Sequence, residues 1–241
     1  MVPMASSLVD GFFRSSFMGQ AIVMLQVMGS VVMLAIALGK WKSINKERTL
    51  LRRVGRDVMM GQDVLEYHLA RRQNEGSAIE HVYAACCDRL LKLLTPTART
   101  GLIRGASDLG PSVMLTPREV GLVQAICDHT LDEEEIRFES GMSWIATIVA
   151  LAPMLGLLGT VWGVLDAFAD MGAAGTATIA TMAPAISSAL VTTVVGLLVA
   201  FPGIIFDSRL RDSIRQLQSD LEGFSDDLMG RIRLEMQGGA A

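Results

Sequence analysis

The sequence predicts an all-α integral membrane fold with three transmembrane helices and long helical extensions outside the bilayer. Two observations predict it. The stretch 140–206 contains no Lys, Arg, His or Glu, and its only charged groups are Asp166 and Asp170, beside a Gly-rich break at Met171–Gly175. That break leaves two apolar halves, each long enough to cross a hydrocarbon core, which takes about 20 residues at 1.5 Å of rise each. Residues 19–39 form a third uncharged apolar run, followed at once by Lys40, Trp41 and Lys42. Lipid offers no partner to a free backbone N–H or C=O, so such runs must be helical or lie against protein.

The first span contains Gln20, Gln26 and Ser30 and is the least apolar of the three. It is too long for a signal-peptide core, and no small-residue cleavage site follows it. Overall, 51% of the 241 residues are hydrophobic, and the mean hydropathy is +0.41. The apolar residues are blocked together and the charges excluded from the blocks, which separates this chain from a greasy soluble domain.

The cations set the orientation. Residues 1–39 contain only Arg14, whereas Lys40, Lys42, Lys46, Arg48, Arg52, Arg53 and Arg56 crowd after the first span. Arg209, Arg211 and Arg215 follow the third. The positive-inside rule therefore puts residues 1–18 outside, 40–140 inside, the turn 169–176 outside and 207–241 inside, with spans at 19–39, 141–168 and 177–206. The net charge of −4 does not suggest nucleic-acid binding; the basic cluster is explained by topology and anionic lipid headgroups.

The inside segments read as helices. Ile44, Leu51, Val54, Val58 and Leu65 recur at helical spacings between Lys40 and Asn74, and a second piece runs from Ala78 to Leu94. Thr95-Pro96 and 101–117 carry loop residues. Thr116, Pro117 and Glu119 form a capping-box pattern that starts another helix, with Val120, Val123, Ile126 and Cys127 on one side. Asp132–Glu135 reads as a solvated acidic face, with a cation site as the lesser alternative. Cys86, Cys87 and Cys127 fall inside, where thiols stay reduced, and with His68, His81 and His129 they form no metal-ligand spacing. After the third span, Leu210, Ile214, Leu217, Leu221, Phe224 and Leu228 form a heptad seam. It suits packing within the chain and association around an oligomer axis equally well.

The two apolar halves carry distinct stripes. Ala152, Gly156, Gly159 and Gly163 fall within an arc of roughly 60° on a helix, and small residues let helices approach closely in lipid. Met154, Leu157 and Val161 lie opposite; Thr160 borders the stripe, and Pro153 is placed to kink the helix. On the third span, Thr178, Thr181, Ser188 and Thr192 fall within about 80°, extended by Ala185, Gly196 and Gly203, with Thr193 beside them. Such hydroxyls either glue helices together or line a narrow wet path.

Pumps and proton relays keep an ionisable group within the membrane, and here none lies at mid-depth. If this chain conducts protons, another polypeptide supplies the titrating carboxylate. No phosphate-binding GxxxxGK[ST] loop and no Ser/His/Asp or Cys/His nucleophile arrangement occurs, so no enzyme activity and no cofactor is expected.

The segment from Glu139 to Gly163, with Ala-Pro-x-x-Gly-Leu-x-Gly-Thr-Val-Trp-Gly at its end, resembles the ExbB/TolQ/MotA family of proton-channel subunits, most closely the ExbB/TolQ branch. Ala183–Pro202 resembles the third span of that family. The resemblance covers residues 139–206 strongly, and 40–138 in topology and helical character.

It implies a bacterial inner-membrane protein with a periplasmic N-terminus and a cytoplasmic C-terminus. It implies a homo-oligomeric ring, a pentamer, whose pore is lined by the second and third spans. A dimer of an ExbD/TolR-like single-span partner would place a transmembrane Asp inside. Proton flow through that Asp would drive work for outer-membrane transport or envelope maintenance, through a TonB/TolA-like periplasm-spanning protein.

By motif position, Thr160 and Thr193 become the pore hydroxyls nearest the partner's Asp. Thr181, Ser188 and Thr192 are the further pore-lining candidates, and Gly156, Gly159, Gly163 and Gly196 the helix-packing ones. Two departures stand out. Ser188 occupies the position of an acidic residue in the family pattern, and Asp207 stands where Asn is common. A neutral Ser188 leaves H⁺ versus Na⁺ open and motivates an alternative, a non-conducting scaffold of the same fold. A MotA-like stator subunit ranks lower, because that branch normally has four spans.

Overall fold

The computed structural model describes residues 16–60, 76–93, 115–174 and 179–237. They form five helices: α1 (Phe17–Met60), α2 (Ala78–Leu93), α3 (Pro117–Glu139), α4 (Met142–Ala174) and α5 (Ile179–Gln237). Leu65, Thr178 and most of the expected loop at 101–117 lie outside the described residues, as do the side chains of 59, 174, 179–181 and 235–237. Three of the helices are long and apolar enough to cross a membrane, with their apolar runs in α1, α4 and α5.

Two helices are longer than the spans alone require. α1 continues from its apolar half into the cationic one without a break, and α5 runs for 59 residues, Pro184 and Pro202 included. Its contour is about 90 Å at 1.5 Å per residue. α4 also runs past Asp166 and Asp170 to Ala174, so residues 169–174 of the expected turn are helical, and 175–178 lie outside the described residues.

The chain divides into two compact units, one from Met1–Trp41 and Gly141–Arg211, the other from Lys42–Ser140 and Asp212–Ala241. In the first, α1 contributes Ile22, Val23, Gln26, Met33 and Ala37 to the interior. α4 contributes Met142, Ile145 and Ala152, and α5 contributes Ala189, Thr192, Val199 and Ala200. The outward side chains are large and apolar, among them Met28, Val31, Met154, Leu157, Leu197 and Phe201. An apolar interior wrapped in an apolar exterior is the pattern of helices that meet lipid or other membrane helices. Gly141, at φ 84°, starts this unit with a left-handed residue that suits glycine.

The second unit has an ordinary soluble-type core. Ile44, Leu51, Val54 and Val58 of α1, Val82 and Leu90 of α2, and Val120, Val123 and Phe138 of α3 are buried. So are Ile214, Leu217, Leu221, Phe224 and Leu228 of α5. The heptad seam of α5 is thus filled within the chain: Gly55 lies against the Phe224 ring, and Arg48 donates to the Ser213 carbonyl at 3.1 Å.

Three expectations need correction here. Ile126 is half turned to solvent, because the buried face of α3 follows Val120, Val123 and Cys127. Glu134 is buried rather than solvated. Its carboxylate meets His81 Nδ1 at 2.8 Å and Arg137 Nη1 at 3.0 Å, a charge buried with its partners. Finally, Cys86 and Cys127 are joined as a disulfide, with Cα atoms 5.6 Å apart and Cys87 buried outside it. The facing positions of α2 and α3 create this pair, which a separation of 41 residues conceals in the sequence.

Glu47 of α1 is a further buried charge. It accepts Ser77 Oγ at 2.9 Å and the Ala78 N–H at 3.0 Å, so it occupies the N-terminus of α2, where a negative charge is favoured.

The capping box that starts α3 forms as expected. Glu119 N–H donates to Thr116 Oγ1 at 3.3 Å, and Thr116 N–H donates back to the Glu119 carboxylate at 2.8 Å. The backbone N–H and then the hydroxyl of Thr116 hold the Glu119 carboxyl below its ordinary value. Because the folded value is the lower one, the cap stabilises α3 fully above the unfolded value and is lost as pH falls through the folded one. Thr116→Val keeps the N–H but removes the hydroxyl. A carboxyl NMR titration of Glu119 should then rise part of the way to its ordinary range; an unchanged titration contradicts the capping role.

Candidate functional site

The motif residues of α4 and α5 meet along one helix–helix seam. A Cβ added at Gly156 would stand 2.8 Å from the Thr193 Cα and 3.0 Å from the Thr192 carbonyl oxygen. At Gly159 it would collide with the Thr192 side chain, at Gly163 with Ala189, and at Gly196 with the Ala152 carbonyl oxygen. The two backbones touch, and glycine is the residue that permits it. Gly203 extends the contact to Val149 of α4 and Met33 of α1.

Hydroxyls then close the seam. Thr192 is 1% exposed, and its Oγ1 donates to the Gly156 carbonyl at 3.1 Å and to Ala189 at 2.7 Å. Thr193 is half-buried and donates to the same Gly156 carbonyl at 2.9 Å. Ser188, also buried, donates to Ala185 at 2.9 Å, one turn back. Thr160 is half-buried and donates to the Leu157 carbonyl at 2.7 Å.

The structure therefore distinguishes four of the five hydroxyls. Ser188 is buried and satisfied within α5, whereas Thr192 is buried and also reaches the Gly156 carbonyl of α4, which is the gluing role. Thr160 and Thr193 are both half-buried; Thr193 reaches the Gly156 carbonyl of α4, and Thr160, one turn on from Gly156, keeps its hydroxyl on its own helix at Leu157. Thr181 lies in α5, with its side chain outside those described. Asp207 lies past the apolar run of α5 and accepts Arg211 Nε at 3.0 Å.

Gln26 is the residue that the sequence mentioned only as a flaw in the first span. It is 2% exposed, and its Nε2 donates to the carbonyls of Ala152 at 3.0 Å and Thr192 at 3.3 Å. An amide inside an uncharged apolar run was the signal, because lipid forces such a group to find protein partners. No group of three or more His, Cys, Asp or Glu residues fit to hold a metal occurs among the described residues.

Comparison with known proteins bears on this seam directly. Residues 112–223, which include all of it, match the model of the MotA/TolQ/ExbB proton channel family. The chain carries a MotA/TolQ/ExbB family domain. The Tol-Pal system protein TolQ of Haemophilus influenzae is 24% identical over 223 residues, 91% of this chain and 90% of that protein. The biopolymer transport protein ExbB of Neisseria gonorrhoeae is 41% identical over 96 residues, 40% of this chain and 44% of its own length. ExbB of Xanthomonas campestris pv. campestris (strain B100) is 42% identical over 89 residues, 36% and 35%. This chain thus spans less than half the length of these ExbB relatives, whereas the match to TolQ runs nearly end to end.

The glycines of the family domain sort by what a side chain would strike. Gly196→Val drives a methyl into the Ala152 carbonyl, whereas Gly172→Ala in α4 meets open space. Gly196→Val should lower the thermal midpoint of the detergent-solubilised protein by roughly 2–12 °C, the shift that follows from about 1–3 kcal/mol of overpacking in a chain of this size. Gly172→Ala should leave it unchanged. Equal midpoints for the two variants contradict the backbone contact.

Proposed function

We propose that this chain is a subunit of an inner-membrane proton channel that converts proton motive force into work, as the TolQ and ExbB names of its relatives suggest. The observation that supports the reading is a pair of half-buried hydroxyls, Thr160 and Thr193, at the α4–α5 contact, within spans that carry no ionisable group at mid-depth. A hydroxyl can pass a hydrogen bond but cannot store a proton near neutral pH. The titrating group therefore comes from a partner, of the ExbD/TolR kind, with a transmembrane Asp.

Ring assembly follows from the same logic, with five copies as the proposed number. Half-buried hydroxyls on one chain come to line a closed passage when copies surround it, and cyclic homo-oligomers are the common way to achieve that. The apolar residues that cover the outside of the first unit supply surface for neighbouring copies and for lipid. The exposed cations Lys42, Lys46, Arg52, Arg53 and Arg56 of α1 support a cytoplasmic position for the second unit, where the Cys86–Cys127 pairing is open to reduction. The N-terminus is then periplasmic and the C-terminus cytoplasmic.

The test is proton uptake by vesicles holding this chain and an Asp-bearing single-span partner. Thr193→Val keeps the volume and removes the hydroxyl, and should reduce uptake about tenfold or more, as misplacing or deleting a group on a transfer path does. Leu198→Val, exposed on the far edge of α5 from Thr193, should leave it unchanged. Normal assembly of the wild-type complex with no uptake at all would return the scaffold alternative.

A further inference from the structure

We propose that Gln26 is a positioning residue for the ion path: its amide fixes the peptide plane that carries Thr193 against Gly156. The proposal rests on the channel reading for its functional consequence, and on geometry alone for its structural part.

The geometry is specific. The amide nitrogen of Gln26 reaches one carbonyl of α4, at Ala152, and one of α5, at Thr192. The Thr192 carbonyl and the Thr193 N–H belong to a single planar peptide unit. Holding that oxygen fixes the plane leading into the Thr193 Cα, which is where the closest approach to Gly156 occurs. The slot that admits the amide is cut by glycines. A Cβ at Gly196 would stand 2.8 Å from the Gln26 nitrogen, and one at Gly156 3.5 Å away. Any larger residue at 196 would expel the amide.

Chemistry fixes which way the amide points. Both neighbours are carbonyl oxygens, so the nitrogen must face them; the flipped amide would set oxygen against oxygen. The price is visible on the other side, where Gln26 Oε1 is buried and has no hydrogen-bond partner among the described residues. A residue needed only for packing would be Met or Leu, which strands no acceptor. Among the sealed side chains of this unit, Gln26 alone is an amide.

Three variants of the full chain, assembled with its Asp-bearing partner in vesicles, test this. Gln26→Met keeps the length and removes both donors. It should assemble and lower uptake about tenfold, and it should change the rate at which Thr193→Cys is alkylated by N-ethylmaleimide, after subtraction of the label on the chain without that cysteine. Gln26→Glu discriminates donation from packing. A neutral carboxyl retains one donor for the two carbonyls, whereas the carboxylate has none and repels both. Its uptake should be near that of the wild type at acidic pH and fall below it as pH rises. Residues 17–39, 142–165 and 182–206, which pack here, contain no other ionisable group, and the partner's Asp titrates in both proteins, so the variant is read as a ratio to the wild type at each pH.

Wild-type uptake and unchanged Thr193→Cys labelling in Gln26→Met would overturn the proposal. So would reduced uptake in Gln26→Met with no recovery of Gln26→Glu at acidic pH, since packing would then explain everything. If the wild-type complex takes up no protons, the channel reading fails. The alkylation rates still decide whether Gln26 holds Thr193.

Discussion

The close approach of the α4 and α5 backbones is the constraint on which the rest of the membrane unit depends. Lipid tails are as apolar as leucine, so burying apolar surface between helices gains little there, and association relies on close packing and hydrogen bonds. Gly156 and Gly196 supply the first by letting each backbone reach the other. Thr192, Thr193 and Gln26 supply the second by donating to carbonyls across the seam. Each group serves the others: the glycines make the slot, and the slot brings the donors within reach.

All four described hydroxyls of the seam donate to backbone carbonyls and differ in exposure: Ser188 and Thr192 do so in buried positions, Thr160 and Thr193 in half-buried ones. Neither set can hold a charge. On the proposed reading, such a channel has a neutral polar margin, and its proton affinity is that of the carboxylate a partner brings. Mid-depth neutrality also avoids the cost of an ionised group in hydrocarbon when the subunit stands alone. The second unit obeys different rules. Water is available around it, so it can bury Glu47 and Glu134, given that Ser77, Ala78, His81 and Arg137 meet them.

Much of this was legible in the sequence because it follows from periodicity and exclusion. The three apolar runs, the capping box at Thr116–Glu119 and the small-residue stripe at 152–163 are local patterns, and each emerged in the structure as a helix, a cap and a contact. The α5 seam was legible as a seam, but what filled it was not, since a heptad looks the same against its own chain or another. What stayed hidden depends on distant residues. Glu134 reads as one of four acids in a row until His81 and Arg137 are placed against it. Cys86 and Cys127 are unrelated until α2 and α3 pack. Gln26 looks like a blemish in a span because its two acceptors are 126 and 166 residues away. Among the hydroxyls, a spacing of 100° per residue located the stripe but could not say which edge would be sealed.

The central claim is that the Thr193 edge of α5 faces the titratable group of a partner. Cysteine crosslinking measures it most directly, with one cysteine at the partner's transmembrane Asp position and the other at Thr193→Cys or Leu198→Cys of this chain; Leu198 is exposed and lies about 140° around α5 from Thr193. The account predicts an oxidative crosslink at Thr193→Cys and none at Leu198→Cys. A crosslink at Leu198→Cys with none at Thr193→Cys would contradict it.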